Sequence, residues 1–158
     1  MDDTSRMIIK RLDLKNIAEY MDLLKNFHEN VKLDEFGIKF DKESVLEALC
    51  REELRTDNYT IHIEDEGIII GIAIVITTPS IMNKHHLKAT EVIWHVDDRI
   101  SKKKRVVATK TMFSAIEDWI SSKNVDTAHI SCPVDNDIHK YLEKKGYKLA
   151  EYTYIKRC

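Results

Sequence analysis

Apolar residues recur along this 158-residue chain at two spacings, one typical of strands and one of helices. Strand-like runs are predicted at 7–12, 59–64, 68–77, 89–96, 125–133 and 147–156. Helical spacing predicts helices at about 15–26, 42–55, 108–121 and 136–145. We expect a polar loop over 78–88, where Pro79 interrupts the pattern. The order β-α-α-β-β-β-α-β-α-β indicates an α/β protein, with a mixed central sheet flanked by helices.

Capping and turn residues agree with these boundaries. Asp13 and Asp41 stand where helix N-caps are expected. Gly67 supplies the left-handed residue of a tight turn between the strands at 59–64 and 68–77, which together form a hairpin. Gly146 is a standard stop for the last helix. Helix 42–55 should bury one stripe, containing Val45, Leu46, Leu49 and Leu54.

Composition fits one ordinary globular domain spanning 1–158. The net charge is −2, so any affinity for polyanions must come from a local patch. The three cysteines are widely spaced, which is typical of reduced thiols in a cytoplasmic protein. No apolar run has the length of a membrane span, and the polar, acidic start MDDTSR does not resemble a secretory signal.

The stretch from Ala89 to Lys123 has the order expected of a site for a phosphorylated ligand. It is predicted to form a buried strand, a basic loop and an amphipathic helix. The loop brings the cations KKKR at 102–105, and the start of a helix brings free backbone N–H groups and the positive end of a dipole. Two other interpretations of the charge run are a nucleic-acid contact, which we favour less, and a solvated loop.

Two segments of the chain resemble the GNAT N-acetyltransferase superfamily. IHKYLEKKGYKLAEYTYIK is similar to the family's C-terminal helix and strand, with Lys144, Gly146 and Tyr147 at motif positions and Asn136 beside the position of a motif asparagine. ATEVIWHVDDR resembles the fourth strand of short phage-encoded and bacterial members. The predicted element order also matches the family over nearly the whole chain. The resemblance implies a GNAT-like sheet.

The resemblance also implies a binding site for acetyl-CoA, used as a co-substrate. The family's pyrophosphate loop, Gln/Arg-x-x-Gly-x-Gly/Ala, corresponds best to RVVATK at 105–110, with Ala108 and Lys110 in place of the glycines. The loop before it, over 97–104, is expected to be longer than usual. If the register lies three or four residues earlier, Lys102, Lys103 and Lys104 take over the phosphate contacts. The cofactor-binding residues expected are Val96, Lys104, Arg105, Val106, Val107, Ala108, Thr109, Lys110, Thr111 and Asn136.

Glu91 is the candidate general base for acetyl transfer. It lies where resembling enzymes place a glutamate, and its apolar neighbours should raise its pKa. A solvent-facing strand glutamate is an equally weighted interpretation. His95 is a second candidate, although a hydrogen-bonded strand histidine is the interpretation we favour. Leu142 occupies the position of the family's acid, a tyrosine, and Tyr141 precedes it by one residue.

Other reactive side chains are assigned no catalytic role. Cys132 is interpreted as a buried, inert thiol, because His129 should lie on the opposite face of its strand. His85 and His86 are interpreted as loop residues at the substrate entrance, and no cluster at metal-ligand spacing is seen.

The resulting expectation is an enzyme that transfers an acetyl group from acetyl-CoA directly to a primary amine of a small molecule or protein. The acceptor would contact the first two helices and the loop over 78–88. The competing expectation is an inactive GNAT-fold protein that binds CoA, a protein partner or nucleic acid through its basic loop. The exposed last strand could pair across a homodimer.

Overall fold

The computed structural model describes residues 7–132, 138–151 and 153–156. Five strands are seen, β1 Ile8–Arg11, β2 Asn58–Asp65, β3 Ile68–Ser80, β4 Asn83–Val96 and β5 Thr127–His129. The α-helices are α1 Ile17–Asn30, α2 Lys42–Leu54, α3 Lys102–Ser122 and α4 Ile138–Lys144. The two predicted N-caps are confirmed, because the Asp13 side chain accepts from the N–H of Lys15 and the Asp41 side chain accepts from that of Ser44.

The five strands form one mixed sheet in the order β1-β2-β3-β4-β5. Each of the first four strands runs antiparallel to its neighbour, and β5 runs parallel to β4. The turn between β2 and β3 places Glu66 and Gly67 at φ 53° and 82°. Two consecutive left-handed residues match the right-handed twist of the flanking strands, which explains the tight hairpin predicted there.

The polar loop predicted over 78–88 is wrong, because this segment forms the far end of a long hairpin. β3 continues to Ser80, β4 begins at Asn83, and Pro79 lies opposite Leu87. β2 pairs with β3 only as far as Ile76, so Pro79 lies where β3 has a neighbour on one side only. Proline is tolerated at such an edge, since the N–H it lacks is not needed there. His85 and His86 are therefore strand residues, not loop residues.

The third helix begins six residues earlier than predicted. Ser101 is its N-cap, and the basic run that we expected in a loop forms its first turn. The connection from β4 is therefore only five residues, 97–101, and not longer than usual. Lysines in a first turn oppose the helix dipole, at a cost of about 0.3–1 kcal/mol each. The run of basic residues is therefore unusual for a helix start, and we had predicted it to be a loop.

The sheet separates two hydrophobic clusters. On one face, α3 contributes Ala108, Met112 and Ile116, which pack against the inward residues of β2, β3 and β4. On the other face, α1 and α2 contribute Tyr20, Leu23, Leu24 and Leu49. The predicted α2 stripe is confirmed at Leu49 and Val45, which belong to this second cluster, but it is wrong at Leu46 and Leu54, which are 42% and 82% exposed. Within the described residues, no helix is both long and apolar enough to cross a membrane.

Gly71 lies where β3, β4 and α3 approach one another most closely. A Cβ atom there would lie 3.0 Å from the His95 carbonyl oxygen and 3.0 Å from the Met112 sulfur. Because a backbone carbonyl has little room to move, a side chain would push β4 outward. The glycine in this apolar run therefore sets the distance between the sheet and α3.

A chain of hydrogen bonds runs beneath α1. The Tyr20 hydroxyl accepts from the backbone N–H of Asp13 and lies 2.9 Å from His62 Nδ1. His62 Nε2 lies 3.0 Å from a Glu64 oxygen, and the other Glu64 oxygen accepts from Lys10. Tyr20 and His62 are both fully buried, so each polar atom in the chain depends on its partner.

The C-terminal part of the chain differs from the prediction. α4 ends as expected, with Gly146 at φ 90°. No strand follows within 147–151 or 153–156, although 147–156 was predicted to be one. Leu149 and Tyr154 are 69% and 91% exposed, so the alternating apolar residues have no face to cover. The expected dimer contact through that strand loses its structural basis within the described residues.

Candidate active site

A cleft opens where β4 and β5 diverge. Their pairing ends at Thr90 and His129, but β4 continues to Val96 without a strand partner on that side among the described residues. The cleft has a volume of about 630 Å³. The described residues that line it come from α1, β4, α3, α4 and the segment after β5, and they are Phe27, Asn30, Val31, Trp94, His95, Val96, Asp98, Lys102, Arg105, Val106, Thr109, Lys110, Ser131, Cys132, Ile138 and Tyr141.

One end of the cleft is basic. Lys102, Arg105 and Lys110 line it from successive turns of α3. The same helix brings its N-terminus, where the Ser101 hydroxyl accepts from the N–H of Lys104 at 3.4 Å and the preceding N–H groups point out of the helix. Cations and the positive end of the dipole thus act together, which is the arrangement that binds phosphate groups.

The connection between β4 and α3 is held in place by α1. Arg99 donates to Asp97 at 2.8 Å and also to Asp22 of α1. Burial raises the pKa of the Asp97 carboxyl, but the hydrogen bonds from Arg99 outweigh this effect and lower it. One turn along α1, the Asn26 amide donates to Asp98 at 2.7 Å. Two residues of one helix face therefore fix the loop that precedes the basic helix start.

The residues predicted to bind the cofactor do not all face this cleft. Those that line it are Val96, Arg105, Val106, Thr109 and Lys110. Ala108 is fully buried in the core, and Lys104 forms an ion pair with Asp65 at 2.6 Å. Val107 and Thr111 are joined by a hydrogen bond within α3 and are not among the lining residues. Asn136 lies outside the described residues.

The pyrophosphate loop proposed at 105–110 is wrong as a loop, because these residues lie inside α3. Of the three lysines in the alternative register, Lys102 lines the cleft and lies in the first turn of α3. Lys103 is not among the lining residues, and Lys104 pairs with Asp65. Glycine is not required in that turn for conformational reasons, since its residues have ordinary helical geometry.

Glu91 lines a smaller pocket that adjoins the cleft and shares Trp94, Ser131 and Cys132 with it. Its side chain is 9% exposed, and Oε2 accepts a hydrogen bond from the Ser131 N–H at 3.2 Å. Burial raises the pKa of this carboxyl to about 7, although the hydrogen bond from Ser131 opposes the rise. A carboxyl with this pKa can accept a proton near neutral pH. The interpretation as a solvent-facing strand glutamate is wrong.

A β-bulge separates Glu91 from the aromatic residues of β4. Glu91 lies opposite Val75, whereas Ile93 lies opposite Ile74, so Val92 is an extra residue on β4. Val92 is half exposed. As a result, Ala89 and Glu91 share a face of the sheet with Trp94 and Val96, which regular alternation would not allow. The bulge thereby brings a carboxylate and an indole to the same cleft.

His95 lies on the face that packs against α1. Because the Asn26 amide nitrogen donates to Asp98, its oxygen is the acceptor for His95 Nε2–H at 2.7 Å. The imidazole packs edge-on against Phe27. Burial lowers the pKa of His95, so the ring is neutral at pH 7. These contacts are those of a hydrogen-bonded strand histidine, the interpretation we favoured.

Tyr141, not Leu142, lines the cleft. Leu142 is buried, and the Tyr141 ring packs edge-on against Phe113 with the centroids 5.3 Å apart. Cys132 is only half buried and also lines the cleft. Burial, with the Glu91 charge as a smaller contribution, raises the pKa of this thiol, which keeps it protonated at neutral pH. Among the described residues, no group of three potential ligands could hold a metal ion.

Sequence reasoning gave no site role to several lining residues, among them Phe27, Val31 and Trp94. Phe27 lies in the last turn of α1, and Val31 lies just after that helix. Both belong to the cleft because α1 runs four residues further than its predicted end at 26. Trp94 was assigned to a buried strand. The bulge at Val92, which sets the face on which Trp94 lies, cannot be recognised from the apolar pattern.

Sequence comparison finds no match, whereas structure comparison finds solved proteins of the same fold. No protein-family model and no curated protein matches the chain. A transcriptional regulator from Bacillus halodurans matches with a TM-score of 0.75 at 13% identity, over 94% of this chain and 97% of the other. Glucosamine-6-phosphate N-acetyltransferase from Arabidopsis thaliana gives 0.69 at 17% identity, over 95% and 97%. A GNAT family acetyltransferase from Staphylococcus aureus gives 0.65 at 14% identity, over 96% and 98%. The sheet order, the splayed strands and these superpositions agree, and the chain therefore has the fold of the GNAT acetyltransferases.

Proposed function

We propose that this chain transfers an acetyl group from acetyl-CoA to a primary amine. The observation that carries the proposal is the polarity of the cleft. Three cations and a helix N-terminus lie along the cleft, and a buried carboxyl with a pKa of about 7 lines the adjoining pocket, which shares five lining residues with the cleft. A ligand with phosphates at one end and a thioester at the other matches this arrangement. The solved structures of acetyltransferases with the same fold add support.

The basic end fits the phosphate groups of CoA. Lys102, Arg105 and Lys110 would bind the phosphate oxygens, and the first-turn N–H groups of α3 would donate hydrogen bonds to the same oxygens. The edge of β4 up to Val96, which has no strand partner among the described residues, offers backbone groups to the amides of the pantetheine arm. The cost of placing lysines at a helix N-terminus is offset when an anion binds there.

The pocket that contains Glu91 fits the chemistry of acetyl transfer. Acetyl-CoA supplies an activated acetyl group as a thioester. Glu91 would take the proton that the amine nitrogen loses as its bond to the acetyl carbon forms. Tyr141 lines the same cleft and is the described side chain whose hydroxyl suits protonation of the departing sulfur. Neutral His95 would hold α1 against β4 rather than exchange protons.

The test is in two parts, because binding and turnover are separate claims. Acetyl-CoA that binds only the folded protein raises its melting temperature. A rise that weakens with added salt would support the phosphate contacts, and no rise at about 1 mM would refute the proposal. Release of CoA thiol across a panel of primary amines then measures turnover. Binding without turnover for every amine would leave a CoA-binding protein and exclude the transferase.

A further inference from the structure

The small pocket that contains Glu91 and adjoins the cleft has a distinct chemical character, and we call it the chamber. Its volume is about 190 Å³, the space of about six water molecules in the liquid. The apolar walls are Phe27, Val31, Val92 and Trp94. Glu91 is the one side chain of acidic or basic type among the described residues that line it; the thiol of Cys132 completes the floor with Ser131. A single carboxylate thus faces a mostly hydrocarbon surface.

The aromatic walls of the chamber are fixed in position. Phe27 packs edge-on against His95 with ring centroids 5.6 Å apart. Trp94 stacks on Phe113 at 5.3 Å with an interplanar angle of 27°. Rings that are already held lose little conformational freedom when a ligand arrives. Such rings also attract a cation over their faces and a second aromatic ring at their edges.

The chamber excludes acceptors rich in hydroxyl or phosphate groups. A hydroxyl placed against the four apolar walls would lose its hydrogen bonds to water and find few partners. A phosphate there would face the Glu91 carboxylate, which is a like charge. The cations Lys102, Arg105 and Lys110 line the large part of the cleft and are not among the residues that line the chamber. Anionic and polyol groups therefore have no counterpart at this end.

We propose that the acceptor is a primary amine carried on a compact apolar or aromatic group, such as an arylalkylamine. This inference rests on the proposed function, because it names the acceptor of the same site. The apolar group fills the chamber, and the amine lies beside Glu91. The amine nitrogen forms a bond to the acetyl carbon, the carbon–sulfur bond breaks, Glu91 takes the proton from nitrogen, and the sulfur leaves as CoA thiol or thiolate.

The experiment compares amines that differ mainly in their apolar part. Thiol release is measured with 2-phenylethylamine, ethanolamine and glucosamine 6-phosphate at saturating acetyl-CoA. We expect kcat/KM for 2-phenylethylamine to exceed that for ethanolamine by about tenfold or more, as an apolar pocket discriminates. Equal values, or a preference for either polar amine, would overturn the inference while leaving acetyl transfer itself intact.

A pair of matched variants locates the preference. Val31→Asp places a carboxylate in the chamber and should collapse the ratio between 2-phenylethylamine and ethanolamine. Ile68→Asp makes the same change at the exposed start of β3, away from every residue assigned to the site, and should leave the ratio unchanged. An acetyl-CoA thermal shift retained in Val31→Asp shows that the variant is folded. An unchanged ratio in folded Val31→Asp would contradict the assignment of the chamber.

Binding of the amine alone separates this inference from the proposed function. Calorimetry is carried out with 2-phenylethylamine and with ethanolamine in the absence of acetyl-CoA. Tighter binding of 2-phenylethylamine supports the chamber assignment even if no acetyl-CoA shift is seen. Equal binding of the two amines overturns it, whatever the outcome of the acetyl-CoA experiments.

Discussion

The carboxylate of Glu91 accepts a hydrogen bond from the backbone N–H of Ser131, 3.2 Å away, across the gap between two diverging strands. Strand pairing has already ended two residues earlier on β5, at His129. A hydrogen bond from a side chain therefore connects the two segments beyond the last backbone pair of β4 and β5. The same carboxylate holds the mouth of the cleft together and is placed to accept a proton there.

Replacing this carboxyl should separate catalysis from binding. Glu91→Gln keeps the size of the side chain and its acceptor oxygen, so acetyl-CoA should still raise the melting temperature. We expect kcat/KM to fall by about 10²–10⁴-fold, the range for losing a general base. In the wild-type protein, kcat/KM should rise with pH through about 7 as the carboxyl ionises, and the variant should lose that step. Unchanged turnover in Glu91→Gln would remove Glu91 from the mechanism.

The same group predicts how stability depends on pH. The folded protein holds a proton on Glu91 up to about pH 7, whereas the unfolded chain releases it near 4.5. The unfolded state therefore binds fewer protons in this window, and stability falls as pH rises through it. The loss corresponds to about 3 kcal/mol at most. Denaturant unfolding at pH 5 and pH 8 should show a smaller drop for Glu91→Gln than for the wild type; equal drops would contradict the raised pKa.

The basic end of the cleft can be tested with neighbouring residues of equal charge. Arg105→Ala removes a cation that lines the cleft and should raise KM for acetyl-CoA about 5–50-fold, as expected for loss of a charge-assisted contact. Lys103→Ala removes the same charge from the same basic run, but Lys103 is exposed and is not among the cleft-lining residues. Its KM should change less than about threefold. Equal effects would indicate general electrostatic attraction instead of a built site.

Two tyrosines that pack on the same phenylalanine provide a test of the acid. Tyr141 and Tyr147 both meet the Phe113 ring edge-on, at 5.3 and 5.8 Å. Among them, only Tyr141 is a cleft-lining residue. Tyr141→Phe should lower kcat by about tenfold or more, because the departing sulfur loses a proton donor. Tyr147→Phe should leave kcat unchanged. A full rate in folded Tyr141→Phe would mean that the thiolate leaves without help.

The buried network beneath α1 predicts a stability effect remote from the cleft. Tyr20→Phe leaves His62 Nδ1 and the Asp13 N–H without the hydroxyl they share. We expect a loss of about 1–3 kcal/mol, the cost of unsatisfied buried polar groups. Tyr154→Phe, at a 91% exposed position, should change stability by less than about 0.5 kcal/mol. Urea unfolding of both variants measures the difference; equal stabilities would show that the network contributes little.

Local patterns predicted most elements, and the failures have identifiable causes. The helix of 102–122 was started too late, because its first turn is the basic run KKKR, which has no apolar residue to extend the helical stripe and was assigned to a loop. The hairpin over 78–88 was read as a loop because of Pro79, which the sheet tolerates beyond the reach of β2. The strand over 147–156 was predicted because apolar and polar residues alternate there. Alternation alone does not form a strand, since the segment also needs the edge of another strand to pair with.

The site could be predicted only in part, because local patterns do not show which elements lie next to one another. Glu91 was identified through the resemblance to a family that places a glutamate in this strand, and the structure decides in favour of burial between the two interpretations left open. Phe27 and Val31 could not be identified, since their place in the cleft depends on how far α1 extends and how it crosses β4. Distances between elements are a tertiary property that spacing along the chain does not encode.

The extra residue at Val92 also has a consequence for deletions in β4. Glu91 and Ile93 lie opposite Val75 and Ile74, which are consecutive on β3, so removing Val92 would leave the remaining pairs in place. Glu91 and Trp94 would then share a face by regular alternation. A loss of one codon at this position would therefore be tolerated by the strand pairing. What it would remove is the local bend and extra twist between the proton acceptor and the aromatic wall.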